Sequence, residues 1–326
     1  MLLVFALLTA GCGGGGSTNT TAGDPPTTTT AAPSTTTAPA DPTTTIDAGF
    51  PVTIEAGGAV VTIESRPERI VSLSPTATEM LFSIGAGDQV VAVDSFSYYP
   101  PEAPVTDLSG FEPNVEAVVG FEPDLVVLSF DPGDVVSGLE AAGVVALVVP
   151  TAVTLDDTYT QIEQLGAATG RIGDAAELVG QMQADIAALA ASVPERDEPL
   201  TYYHELDDTL FSVTSQTFIG EIYALAGLES IADAADPEGE ASGFPQLSAE
   251  FLLAADPDLI FLADTKCCGQ NAETLAARPG FDQLTAVTEG RVIELDDDIA
   301  SRWGPRVVEF FRTIVEATAT VELPTG

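Results

Sequence analysis

The stretch Glu122-Pro-Asp-Leu-Val-Val-Leu128, EPDLVVL, returns in the second half of the chain as DPDLIFL, from Asp256 to Leu262. In a wider window, VEAVVGFEPDLVVL from Val115 aligns without a gap on AEFLLAADPDLIFL from Ala249, with Glu116 over Glu250 and Leu128 over Leu262. Each copy reads as a short apolar-periodic helix, a proline that breaks it, and a continuous apolar run that suits a buried parallel strand. The Pro-Asp-Leu itself signals only a helix stop and a strand start. A second match lies upstream, where TEMLFSIG from Thr78 aligns on GEIYALAG from Gly220, at an offset of 142 against 134. Two matches in the same order at similar offsets predict two lobes of one architecture.

The pattern extends in both directions. RIVSLSPTATEMLFSIGAG predicts a strand over Ile70–Leu73, a helix capped by Ser74 with Pro75 in its first turn, and a stop at Gly85 or Gly87. QVVAVDSF supplies a second strand, and VVALVVP from Val144 closes the first lobe. Between the lobes, LDDTYTQIEQLGAATGRIGDAAELVGQMQADIAALAASVP carries apolar residues at helical spacing, with an interruption around Gly170–Gly173. Its part from Asp174 to Ser192 reaches roughly 28 Å as a helix, enough to bridge two lobes and limit hinge bending. The second lobe runs from Leu200 through RVIEL to a final helix from Pro305. The expected class is α/β, with two similar lobes of mostly parallel sheets, one long connecting helix and a ligand cleft between the lobes. The divisions are an amino-terminal lobe over 49–153, a helical connection over 154–194 and a carboxy-terminal lobe over 195–326.

Ahead of the lobes, MLLVFALLTAGC is apolar for too short a distance to span a bilayer, and small residues precede Cys12. Over 1–12 it resembles a bacterial lipoprotein signal, which implies lipid modification of Cys12 as the mature amino terminus. No Lys or Arg precedes the apolar run, and Thr9 stands where such signals carry Leu. An ordinary cleaved signal is the alternative. From Ser17 to Thr45 there are 13 Thr and 5 Pro and no large apolar side chain, so the segment over 13–48 is expected to be a disordered tether. Ten basic against fifty acidic residues leave a net charge of -40, which excludes a surface for nucleic acid or for anionic membrane.

Several stretches taken together resemble the substrate-binding proteins of bacterial ABC importers for metal chelates: cobalamin, haem and ferric siderophores. They are RIVSLSPTATEMLFSIGAGDQVVAVDSFSYYPPEA, NVEAVVGFEPDLVVLS, TLDDTYTQIEQLGAATGR and RPGFDQLTAVTEGRVIEL, covering most of the chain from about Ser65 to Ala317. The resemblance implies a ligand held between two α/β lobes and delivered to a membrane permease.

In parallel α/β lobes, ligands sit beyond the carboxyl ends of the strands. The loops expected there, which include Ser74–Thr78 and Thr265–Gly269, hold Phe96, Tyr98, Tyr99, Phe111, Phe244 and Trp303. Wide apolar faces suit a macrocycle or bulky chelate, while packing beneath the loops is the plain alternative for each ring. Phe244 leads, because the family's cobalamin receptors carry a large aromatic six positions before the second-lobe glutamate, and FPQLSAE matches that spacing. The first-lobe equivalent is Gly110, a departure from those receptors, with Phe111 beside it as the candidate substitute. Arg302 is a candidate partner for an anionic arm, or else a surface salt bridge.

Glu116 and Glu250 each sit in the first turn of a helix, where the dipole favours an acid. The resemblance adds that matching glutamates dock onto arginines of a two-fold permease. Cys267 and Cys268 form an even pair if Cys12 carries lipid: a vicinal disulfide first, free thiols second, thiolate metal ligation third. The single histidine, His204, is followed by ELDD, and neither a nucleophile elbow nor a phosphate-cradling loop is present, so no catalytic residue or cofactor is expected. One histidine also argues against a receptor for bare zinc or manganese; His204 reads as a packed or solvent-capped residue, with axial ligation of haem iron as the alternative.

The expected function is therefore capture of a metal chelate, a corrinoid (cobalamin) ahead of a ferric siderophore, by a monomeric extracytoplasmic lipoprotein. The only expected membrane attachment is the lipid, at the outer face of the cell membrane, and the partner is an ABC permease with its ATPase subunits. The alternative is an anchored ectodomain of the same fold that senses haem or siderophore, or adheres, without transport.

Overall fold

A computed structural model describes residues 49–321. The expected signal over 1–12 with Cys12, and the tether over 13–48, lie outside the described residues. The body opens with a hairpin that the sequence reading did not anticipate, β1 (Val52–Ala56) paired antiparallel with β2 (Ala59–Ile63). Gly57 and Gly58 turn it with φ of 58° and 76°, the left-handed pair that a tight two-residue hairpin requires.

The first lobe holds four parallel strands, β3 (Ile70–Leu73), β4 (Val90–Val93), β5 (Leu125–Leu128) and β6 (Val145–Val148), in the order β4-β3-β5-β6. The second holds β7 (Leu200–Glu205), β8 (Leu228–Ser230), β9 (Leu259–Leu262) and β10 (Val292–Glu294), also parallel, in the order β8-β7-β9-β10. Counted from the first strand of each lobe, both sheets read 2-1-3-4. This is the duplicated architecture that the repeat predicts.

The repeated strands β5 and β9 are buried throughout, as strands covered by helices on both faces must be. Leu125, Val127, Leu259 and Phe261 join one apolar cluster that runs through both lobes. Val126 and Leu128 face a separate first-lobe cluster, and Ile260 and Leu262 a second-lobe one. The shared cluster also takes in Ile162, Val179, Ile186 and Phe311, so the helices between the lobes are part of a continuous core.

The Pro-Asp-Leu does more than stop a helix. Asp124 accepts the backbone N–H groups of Glu68 and Arg69 at 2.8 and 3.0 Å, just before β3. Asp258 accepts the N–H and hydroxyl of Thr201 at 2.8 and 3.0 Å, within β7. Each aspartate thereby ties the start of the third strand to the start of the first. Ahead of the prolines, Glu122 and Asp256 hold the same left-handed conformation, with φ of 51° and 42°.

The connection is a pair of helices, Leu155–Thr169 and Ile172–Ala190, in mutual contact. Only Gly170 and Arg171 separate them, so the interruption is shorter than the expected Gly170–Gly173 and the long helix starts two residues before Asp174. The final helix spans Val307–Ala319, beginning after Pro305. Thr265–Cys268 is one helical turn and not the expected open loop, because Asp297 accepts the N–H groups of Thr265, Lys266 and Cys267 at 2.8 to 3.1 Å. Among the described residues no helix is long and apolar enough to cross a membrane.

Candidate ligand cleft

In a 2-1-3-4 parallel sheet the chain reverses direction between strands one and three, and ligands bind beyond the carboxyl ends there. In the first lobe that point is the gap between β3 and β5. Ser74 follows β3 and caps the Pro75–Ser83 helix, accepting the N–H of Ala77 at 3.2 Å, while Ser129 follows β5 and donates to Ser74 Oγ at 2.7 Å. Both serines line a cavity of about 410 Å3 whose wall also includes Ser301, Arg302 and Trp303 of the second lobe. The cavity is thus shared between the lobes, at the place the topology demands.

Three phenyl rings form its apolar side: Phe96, Phe111 and Phe130. Phe111 packs edge-on to Phe96 with centroids 5.9 Å apart and lies 6.3 Å from Phe130. All three remain exposed, at 53, 66 and 45%, and together they form an open apolar face on the cavity. Gly110 lines the same wall, and a Cβ there would come within 2.5 Å of the Leu73 carbonyl oxygen. Packing therefore excludes a side chain at position 110, and the Phe111 ring lines the wall one residue on.

Arg302 is neither free nor on the surface. Its Nη1 donates to Glu79 Oε1 at 2.7 Å, and its Nη2 to Asp298 Oδ1 at 2.7 Å and to the Phe96 carbonyl at 3.2 Å. Glu79, itself buried, also binds Arg306 through both carboxylate oxygens at 2.8 and 2.5 Å. Burial opposes the charge on Arg306, but the Glu79 carboxylate outweighs it and raises the pKa. Tyr98 crosses to Asp298 at 2.7 and 2.8 Å, and its pKa is raised by burial and by that carboxylate. Tyr99 stacks under Arg306 at 4.0 Å. Tyr98 and Tyr99 thus brace the two lobes against each other and are not among the cavity-lining side chains.

Trp303 lines the cavity and donates its indole N–H to Gln161 Oε1 at 3.0 Å. Phe244 is exposed but is not among the lining residues. Glu116 and Glu250 are both exposed in the first turns of the equivalent helices Val115–Val119 and Ala249–Ala255, capped by Asn114 and Ser248. Cys267 and Cys268 are joined as a vicinal disulfide on their helical turn.

The corresponding gap of the second lobe, between β7 and β9, is filled by protein charge. Glu205 receives both terminal nitrogens of Arg278 at 2.6 Å and the Tyr203 hydroxyl at 3.1 Å. Asp264 is wholly buried beside them, and neither of its carboxylate oxygens has a hydrogen-bond partner among the described residues. Burial first, then the charge of Glu205, push its pKa up to about 7. His204 lies in the core with Nδ1 on the Tyr223 hydroxyl at 2.8 Å; burial lowers its pKa to about 3, so it is a neutral packing residue, and it is not among the cavity-lining side chains.

Sequence reasoning placed Ser74 on a cleft loop but missed Phe130 and Ser129 as lining residues, together with Glu79 and Asp298 of the ion network behind the cavity. The signal for Ser129 and Phe130 was available, since both trail a strand at the switch point. The ion network joins residues more than two hundred positions apart, as in Arg302 with Glu79, and only the fold reveals it.

A family model described as periplasmic binding protein matches residues 70–299. The chain belongs to the periplasmic binding protein family. Within it, the chain is 30% identical over 266 residues to the uncharacterized ABC transporter substrate-binding lipoprotein YvrC of Bacillus subtilis, covering 79% of this chain and 82% of that one. It is 33% identical over 261 residues to the cobalamin-binding protein of Halobacterium salinarum, covering 76% of this chain and 69% of that one. Among solved structures, the periplasmic haem-binding protein RhuT of Roseiflexus sp. RS-1 in apo form aligns with a TM-score of 0.67 at 27% identity, covering 77% of this chain and 99% of that one. Family membership fits the parallel two-lobed fold and a cleft that both lobes line.

Proposed function

We propose that this periplasmic binding protein captures a metal chelate in the cavity between Phe111 and Trp303, a corrinoid in preference to a ferric siderophore, and hands it to an ABC permease. The observation that carries this reading is the cluster of three exposed phenyl rings facing the second-lobe segment Ser301–Trp303 across one cavity. A corrin ring offers a wide apolar face to phenyl groups and a fringe of amides to the hydroxyls of Ser74, Ser129 and Ser301. The cobalamin-binding relative supports the same ligand class. Haem fits less well, since no His, Cys, Met or Tyr is among the described lining side chains to ligate its iron.

Anchoring through lipid on Cys12, a tether over 13–48 and a monomeric body belong to this reading, and the name of the Bacillus relative supports the lipoprotein part. Trp303 is the sole tryptophan and lines the cavity, so its fluorescence reports occupancy directly. Titration with cyanocobalamin should quench it with one-to-one saturation, and haem and ferric siderophores should bind more weakly. Phe111→Ala and Phe130→Ala should each weaken the corrinoid about tenfold, the loss expected for removing a contacting ring. Quenching by haem or a siderophore but not by cyanocobalamin would sink the corrinoid assignment.

A further inference from the structure

We infer that the cleft sorts chelates by charge, taking uncharged or cationic ones and rejecting those with free carboxylate or catecholate arms. This rests on the proposed function of the cleft and narrows its ligand class. Arg302 is the one basic side chain among the described residues lining the cavity, and its guanidinium is already spread over Glu79, Asp298 and the Phe96 carbonyl. Its side chain is only 10% exposed. Releasing it to a ligand would leave the buried Glu79 short of a partner, a costly outcome for a carboxylate out of water.

The neighbouring charges point the same way. Asp94 lines the cavity, and its oxygens accept only from neutral donors, the N–H of Phe96 at 2.7 Å and the hydroxyl of Ser97 at 2.9 Å. Asp298 is shared among Tyr98, Arg302 and Lys266, and Lys266 in turn binds Asp296. Three cations, Arg302, Arg306 and Lys266, are thus matched by three paired carboxylates, Glu79, Asp296 and Asp298, while Asp297 and Asp94 add two more that accept only from neutral donors. An anionic arm meets no free cation there, and the chain's net charge of -40 repels it on approach. The amino end of the Pro75–Ser83 helix favours an anion, but Ser74 Oγ occupies the Ala77 N–H, the Ser74 carbonyl takes that of Thr78 and Pro75 has none to offer, which leaves the Thr76 N–H alone against these carboxylates.

The test uses ligand pairs that differ in charge at constant ring, titrated against the purified protein at neutral pH and low salt with Trp303 fluorescence. One pair is cyanocobalamin and its monocarboxylic acids, in which one peripheral amide is hydrolysed; the other is haem dimethyl ester and haem. Each added carboxylate should weaken binding about tenfold or more, and salt should narrow the gap by screening. Asp298→Asn releases one edge of Arg302, so the ratio of neutral to acid affinity should fall several-fold in that variant. Acids that bind as tightly as their neutral partners would overturn the charge rule. If corrinoids fail to bind while haem ester binds and haem does not, the corrinoid assignment falls and the charge rule stands.

Discussion

A carboxyl group buried at the end of a strand, with no donor directed at it, keeps its proton. Asp264 is such a group, and burial and Glu205 raise its pKa from the usual 3.8 to about 7. The unfolded chain gives up this proton near pH 4 and the folded chain near pH 7. Between these limits the folded state binds more protons, so the contribution of Asp264 to stability declines as pH rises from about 4 to about 7 and is lowest above that. Asp264→Asn keeps the shape and removes the titration. Urea unfolding should find the variant more stable than the parent at pH 8 by upward of about 1 kcal/mol, with the difference shrinking at pH 5. A variant that is less stable at both pH values would contradict this account. Gly110 shows the limit of reading single residues: its alignment with Phe244 was legible, but the Leu73 carbonyl that forbids a side chain there was not.

At the level of elements, the register fixed by EPDLVVL and DPDLIFL carried over fully into space, because an unbroken apolar strand can only lie between two covered faces. The aspartates were read as punctuation and are in fact strand ties. Asp124→Ala and Asp258→Ala should each cost about 1 to 2 kcal/mol, since each orphans donors at the start of β3 or β7. Asp258 should matter more, as its partners are half-buried where those of Asp124 are exposed. Denaturant midpoints of the two variants check both size and order, and no loss in either would reduce the motif to a helix stop. The hairpin of β1 and β2 escaped notice although VTIEAGGAVVTI alternates around two glycines, because it lies outside the repeat that organised the reading. The turn at Thr265–Cys268 escaped for another reason, its donors being satisfied by Asp297 some thirty residues away.

For the whole molecule, the decisive feature is that one apolar cluster passes through both lobes and the helices between them. Lobes that share a core hold their outer surfaces at a nearly fixed separation, so a partner with two-fold spacing can read both at once. Glu116 and Glu250 occupy equivalent exposed first turns, and no hydrogen bond to either carboxylate is present among the described residues. Carboxylates left unengaged on a rigid body suit recognition by paired arginines, where charge complementarity sets both encounter rate and register. Glu116→Arg with Glu250→Arg should therefore abolish chelate uptake in cells, and each single reversal should lower it about tenfold. Trp303 quenching by ligand should be unchanged in all three variants, since the cavity lies at the carboxyl ends of the strands and neither glutamate lines it. Uptake that survives the double reversal would remove both residues from docking, whereas loss of quenching would show that the substitutions disturb the fold.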